Sequence, residues 1–289
     1  MANFLFKKSY KLSTFKNVKY DHLWGSKGVF TTIRVYGESP KYIFLKDHLL
    51  QLNKSLKKFN INFLLTEKKL LELIPSNLKI KKYNHLLRVA IKNNKISLSL
   101  RSRLKPSNIF QCKLVNYQRS NAKIKNLQYK KILSMQKNID MQKMEILFYN
   151  NNIILEGSTT NLILIKNSQI ILPKGNYYKG VTMNYLLKKI QNKYFFKSIR
   201  FSDLLVADEI ILVGSGKGVV KVTSIPQIKW FSSSAKMFKR LSSMYKAQLE
   251  LLYLIKIISL FCLLQLWVFV MLLGIRLVML VKIIKLLML

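Results

Sequence analysis

The stretch Ile153-Ile154-Leu155-Glu156-Gly157-Ser158-Thr159-Thr160-Asn161-Leu162-Ile163-Leu164-Ile165 decides how this chain is read. Its two ends, Ile153–Leu155 and Asn161–Ile165, are aliphatic and β-branched runs of the kind that form buried strands. Between them lie one carboxylate, one glycine and three hydroxyls. A carboxylate at the end of so apolar a run is costly to bury unless a cation or hydrogen-bond donors meet it. Glu156 is therefore either a solvated turn acid or the anionic member of a built site.

Strand signals flank this stretch at Glu145–Tyr149 and Gln169–Leu172, with Asn-rich turns between them, and a helical pattern runs from Asn126 to about Lys137. A further helix opens at Val181–Thr182. Strand Glu209–Val213 runs into Gly214-Ser215-Gly216-Lys217-Gly218. Nearer the N-terminus, Val29–Tyr36 reads as a strand closed by the turn Gly37-Glu38-Ser39-Pro40, with Tyr42–Leu45 as its partner. Asp47 is placed to cap a helix carrying Leu49, Leu52, Leu56 and Phe59, and Thr66 caps a second that stops before Pro75. A hairpin turns at Lys92-Asn93-Asn94-Lys95, and Phe110–Tyr117 is one more strand. The pattern resets after Gln118-Arg119-Ser120-Asn121. Two α/β domains are expected, 1–118 and 119–250, followed by an apolar tail, 251–289.

The chain has 289 residues, half of them apolar, so whole-chain disorder is excluded. Cys112 and Cys262 make neither a disulfide scaffold nor a zinc site, which points to a reducing, cytoplasmic setting. The N-terminal dozen residues lack the apolar core of a signal peptide. Fifty basic residues against 12 acidic give a net charge of +38. That balance ordinarily suggests nucleic acid or a membrane surface. The lysines, however, are scattered in twos beside Asn, Ile and Tyr, as in Lys81-Lys82-Tyr83-Asn84, which is what an AT-rich coding bias produces. With no finger, RNP-like motif or basic helix, no specific nucleic-acid partner is expected. The tail differs: no charge occurs from Ile257 to Ile275, about the 20 residues a bilayer span needs. A membrane anchor, an extension read out of frame and a packed helix all fit it. The tail carries four of the basic residues and no acid, so the body keeps +34 of the charge.

Three further features could carry chemistry. Gly180-Val181-Thr182 opens a helix with free N–H groups and a hydroxyl, the makings of an anion site or simply a helix cap. The loop Gly214–Gly218 offers amides, a hydroxyl and a cation, without the spacing of a P-loop. Lys125 is one lysine among many, and a reactive amine needs its pKa lowered by burial or a neighbouring cation.

Taken in order, Lys125, Glu156 with Asn161, the Gly180–Thr182 helix start and the Ser215 loop after Ala207-Asp208-Glu209 resemble the class IV aminotransferases. These are two-domain, fold-type IV enzymes that use pyridoxal phosphate (PLP), similar to D-amino acid aminotransferase, and the resemblance covers about Asp21 to Ile225. Phe30-Thr31-Thr32-Ile33-Arg34-Val35, followed by His48 at a helix head, resembles the family's N-terminal half and is nearest the aminodeoxychorismate lyase branch. The resemblance implies Lys125 as the Schiff-base lysine and proton shuttle, and Glu156 as the partner of the pyridine nitrogen. It implies Thr182, the Val181 amide and Ser215 at the phosphate, Tyr129 near the cofactor's 3-hydroxyl, and Arg34, Arg101 or Arg103 on a substrate carboxylate.

The implied activity is that of a 4-amino-4-deoxychorismate lyase giving 4-aminobenzoate and pyruvate. A branched-chain or D-amino acid aminotransferase is the alternative, and a catalytically inert basic membrane or nucleic-acid binder a remoter one. The implied partner is a small anionic amino substrate, and the implied assembly a homodimer. Two positions depart from the family pattern: Gln51 stands where an arginine commonly meets the phosphate, and Met183 where another often follows the helix start. Lys217 or Lys54 is expected to replace the missing charge.

Overall fold

The computed structural model describes residues 3–250 except Lys79 and Asn192, together with Gln265. Met1–Tyr245 forms one compact unit and Lys246–Leu289 a second. The tail read as an apolar anchor lies outside the described residues apart from Gln265. Among the described residues no helix is long and apolar enough to cross a membrane.

Six strands build the first sheet: β1 (Phe4–Lys11), β2 (Asn17–Val18), β3 (Val29–Gly37), β4 (Lys41–Tyr42), β5 (Tyr83–Lys92) and β6 (Lys95–Ser102). They lie in the order β2-β1-β6-β5-β3-β4, and every pairing is antiparallel. Side chains alternate across a strand, so the sequence sorts itself onto two faces. Ile33, Val35, Leu87, Val89, Leu98 and Leu100 share the apolar face and pack on helices α1 (Leu45–Lys58) and α2 (Glu67–Glu72). The opposite face is polar and aromatic. The register sets Thr32 opposite Arg88, Arg88 opposite Ser99, and Ser99 opposite Lys7, a single row across four strands.

Two element boundaries differ from the sequence reading. The partner strand of β3 is only Lys41–Tyr42, because Phe44 turns the chain with φ 57° and α1 begins at Leu45; Asp47 sits in the first turn and does not cap. Thr66 does cap α2, accepting from the Lys69 N–H at 3.2 Å. Helix α3 (Lys130–Lys137) starts later than the pattern from Asn126 suggested. Residues 125–127 are instead strapped along the start of β3, with Phe30 N–H donating to Lys125 O and Leu127 N–H to Gly28 O. Gly28 permits this approach, since a Cβ there would lie 2.8 Å from Leu127 Cδ1.

The remaining strands form two five-stranded sheets. They are β7 (Gln111–Asn116), β8 (Met144–Asn150), β9 (Ile153–Gly157), β10 (Asn161–Lys166), β11 (Gln169–Pro173), β12 (Phe195–Lys197), β13 (Glu209–Gly214), β14 (Gly218–Val222), β15 (Ser224–Ile225) and β16 (Trp230–Phe231). One sheet runs β12-β11-β10-β13-β14, the other β16-β15-β7-β8-β9. Helix α4 (Val181–Lys189) and the short α5 (Phe201–Leu205) lie among these strands, and residues 236–250 are helical again. Leu147, Ile154, Leu162, Leu164, Ile210 and Leu212 lie in a core shared by both sheets. The decisive stretch therefore splits: β9 belongs to one sheet and β10 to the other, and the hydroxyl turn 158–160 crosses the seam.

Candidate active site

Glu156 stands near the end of β9, opposite Phe148 of β8, and is 5% exposed. Its carboxylate is not a solvated turn acid. Arg119 grips it with a fork, Nε donating to Oε1 and Nη2 to Oε2 at 2.7 Å each, and a third Arg119 bond ends on Ala122 O at 3.1 Å. Burial pushes the Glu156 carboxyl up, and the guanidinium pulls it back without fully cancelling the rise. The fork engages each oxygen once and the Tyr178 backbone N–H adds a third bond, which leaves the carboxylate room for one more donor.

Lys125 arrives on the strapped segment 125–127. Its ammonium lies 5.3 Å from the Phe30 ring and 5.7 Å from that of Tyr178. Burial lowers its pKa to about 8, with Arg119 adding to the fall and Glu156 opposing it. This is the environment that a reactive amine requires. Lys125, Arg119, Glu156, Tyr129 and the α4 start all line one inner pocket. Tyr129 donates its hydroxyl to Ser158 O, and burial pushes that phenol up.

The far end of this pocket is an anion cradle. Gly180 precedes α4 with no side-chain cap, so the first amides of the helix have no side-chain partner. Asn161 of β10 fixes that start, accepting from Gly180 N–H at 2.9 Å and donating to Tyr178 O at 2.5 Å. A Cβ on Gly180 would stand 2.6 Å from Asn161 Oδ1, so the contact needs glycine. Hydroxyls and one imidazole line the cradle: Thr182 Oγ1 lies 3.5 Å from Ser215 Oγ, Ser215 Oγ 3.2 Å from His48 Nε2, and His48 Nδ1 2.8 Å from Thr31 Oγ1. Burial, helped by the nearby Lys125 charge, lowers His48 to about 3, so this imidazole is neutral.

Beside the inner pocket, sharing Lys125, Tyr129, Thr159 and Ser215 with it, opens a cavity of about 520 Å³. The polar row of the first sheet supplies one wall. Lys7, Arg88, Arg101, Lys125 and Lys217 line it with Trp24, Phe30 and Tyr20, and its lining includes no acidic residue. Arg88 lies 3.6 Å from the Trp24 ring centre and donates to His22 O at 2.6 Å, while its Nε has no partner.

Of the three arginines expected at the substrate, only Arg101 lines this cavity. Arg34 shares a sheet face with Phe30 and Thr32 but lies further along β3, where Asn84 and Tyr245 take its guanidinium at 3.3 Å each. Arg103 falls beyond the end of β6 and bonds loop carbonyls. Neither lysine expected to replace the phosphate charge lines the inner pocket: Lys54 is exposed on α1, and Lys217 Nζ bonds Met141 O at 2.7 Å. Gln51 itself accepts from the Tyr178 hydroxyl and reaches Lys179 O at 3.4 Å, tying α1 to the segment before α4. Sequence reasoning missed Arg119 and Arg88 as site residues and gave His48 no contact in the pocket.

The sequence matches the amino-transferase class IV family over residues 28–225. The chain belongs to that family, whose members are PLP-dependent aminotransferases and lyases, and it is an enzyme of that PLP-dependent class. Among curated proteins none matches it. Many solved structures share the fold, among them the following three. A Legionella pneumophila protein assigned as a 4-amino-4-deoxychorismate lyase is 21% identical, with a TM-score of 0.65, covering 77% of this chain and 91% of its own. The branched-chain aminotransferase of the archaeon Thermoproteus uzoniensis, solved with norvaline, is 17% identical at a TM-score of 0.68, covering 84% and 94%. That of Escherichia coli is 15% identical at 0.67, covering 83% and 93%.

Proposed function

We propose that this enzyme is a lyase acting on an aminated cyclic dicarboxylate of the 4-amino-4-deoxychorismate type, releasing pyruvate and an aromatic amine. The observation that carries the reading is the wide cavity beside Lys125, whose lining joins Lys7, Arg88 and Arg101 with aromatic rings and includes no acidic residue. A flat, unsaturated ring bearing two carboxylates suits such walls, whereas a branched aliphatic side chain would leave the guanidinium groups of Arg88 and Arg101 without an anionic partner in a partly dehydrated space.

The inner pocket fits PLP on its own donor set: uncapped helix amides with two hydroxyls at one end, the Arg119-bound carboxylate of Glu156 at the other, and a lysine between. When bound, the cofactor supplies a protonated ring that accepts the electron pair released by removing a proton from the substrate. Glu156, its carboxyl favoured toward the charged form by the Arg119 fork against the opposing effect of burial, would hold the proton on the ring nitrogen. The α4 amides, Thr182 and Ser215 hold the phosphate, with His48 orienting Ser215. Lys125 anchors the cofactor and, as an amine with its pKa drawn down to about 8, serves as the base near neutral pH. Arg88 and Arg101 receive the substrate carboxylates, and Trp24 and Phe30 flank its ring.

The test loads the protein with PLP, reduces it with borohydride and maps the labelled peptide, which is expected to contain Lys125. Pyruvate release from 4-amino-4-deoxychorismate is then compared with turnover of leucine, D-alanine and glutamate. Label on another lysine, or turnover of the amino acids alone, would overturn the proposal.

A further inference from the structure

The turn between β13 and β14 is the partition between the two cavities: Ser215 lines both, and Gly216 and Lys217 line the wide one. A three-residue hairpin tip is ordinarily the mobile end of its strands. Here two cations hold it from separate directions. Arg103 donates Nε–H to Gly216 O and Nη2–H to Lys217 O, each at 2.6 Å. The Lys217 side chain runs into the interior, where Nζ donates to Met141 O at 2.7 Å and lies 4.0 Å from Glu145 Oε2.

Glu145 is completely buried at the start of β8. Its oxygens also accept the Ser158 hydroxyl and, at 2.5 Å, that of Thr159. Both turns that face the cavities, 158–160 and 215–217, therefore converge on one carboxylate. A buried lysine–glutamate pair yields little stability relative to apolar packing, and its attested use is to fix one geometry over others.

We infer that Arg103 and Lys217 are positioning residues which, with Glu145, clamp the 215–217 turn so that Ser215 Oγ faces Thr182 and His48 in the anion cradle. The inference rests on the reading that the cradle holds the cofactor's phosphate. It also gives Arg103 and Lys217 work other than direct contact with substrate or phosphate.

Lys217→Met and Arg103→Met are compared with wild type for binding of PLP and of pyridoxal, which lacks the phosphate. Each variant is expected to raise the Kd for PLP about tenfold, the loss of one well-aimed hydrogen bond, and to leave pyridoxal unchanged. Arg103→Lys, with charge but no fork, moves PLP in the same direction by less. In the cofactor-free protein, amide exchange across 215–217 is expected to accelerate in both Met variants. Parallel weakening of PLP and pyridoxal, a raised KM for Arg103→Met with an unchanged PLP Kd, or unaltered exchange would each overturn the clamp. Wild type that binds no PLP would refute the functional reading alone, and the exchange measurement would still decide the clamp.

Discussion

His48 is a buried imidazole whose two nitrogens are spent on Thr31 and Ser215, with Lys125 the nearby charge that disfavours its protonation. Its pKa falls from 6.5 to about 3, so as pH drops the unfolded chain takes up a proton that the folded chain refuses. This contribution to stability is complete above pH 6.5 and is lost progressively as pH falls toward 3. Between pH 7 and pH 5 wild type should lose about 2 kcal/mol more than His48→Gln, read by urea unfolding at each pH. Equal losses would mean that the imidazole is not held neutral. Other residues were less legible. Lys125 and Glu156 could be singled out because the family pattern spaces them, whereas Arg119, six residues before the lysine, belongs to no local motif. A signal for it was nonetheless present. Only eight of the fifty basic residues are arginine, and five of these, Arg34, Arg88, Arg101, Arg103 and Arg119, either line the cavities or bond the residues and turns around them. In a chain dominated by lysine, arginine marks the places where a planar fork is needed.

At the scale of elements, the site exists because β9 and β10 part company. The composition of Ile153–Leu155 and Asn161–Ile165 announced two strands, but strand propensity carries no information about which sheet a strand joins. The helix pattern from Asn126 misled for a related reason: the side chain of Asn126 bonds Ser120 O at 2.8 Å and receives Gln128 N–H at 3.1 Å, which keeps 125–128 out of the helix. Alternation served better, since the odd and even positions of β3, β5 and β6 separate the apolar core from the cavity wall without further help. Asn161 is the residue through which β10 fixes α4, by two hydrogen bonds in a part-buried setting. Asn161→Leu should therefore cost about 2–3 kcal/mol in urea unfolding, the sum of two such bonds, and weaken PLP binding as the helix start loosens. A variant as stable as wild type would show that α4 is placed by its apolar face alone.

Over the whole molecule, the net charge of +38 looked at first like a binding signature. Its scatter matches no nucleic-acid motif in the sequence, but the sum still sets a field, and the cavity is lined by cations where that field reaches the site. Capture of a dicarboxylate should be electrostatically steered. Its association rate constant should fall at least about tenfold between roughly 10 and 200 mM salt in stopped-flow mixing, with the dissociation rate changing far less. A salt-independent on-rate would leave the charge as background. Trp24, finally, stacks at 5.4 Å on Tyr129, meets Phe30 edge-on at 4.8 Å and lies under Arg88. Trp230 is enclosed in the core of the other two sheets, its indole N–H on Ala207 O. Of the three tryptophans, Trp267 lies outside the described residues, and the other two occupy different optical settings, Trp24 beside the pocket for a cofactor that absorbs where indole emits and Trp230 in the packed interior. Energy transfer from Trp24 makes the enzyme its own gauge of loading, with no dye attached and no substrate consumed.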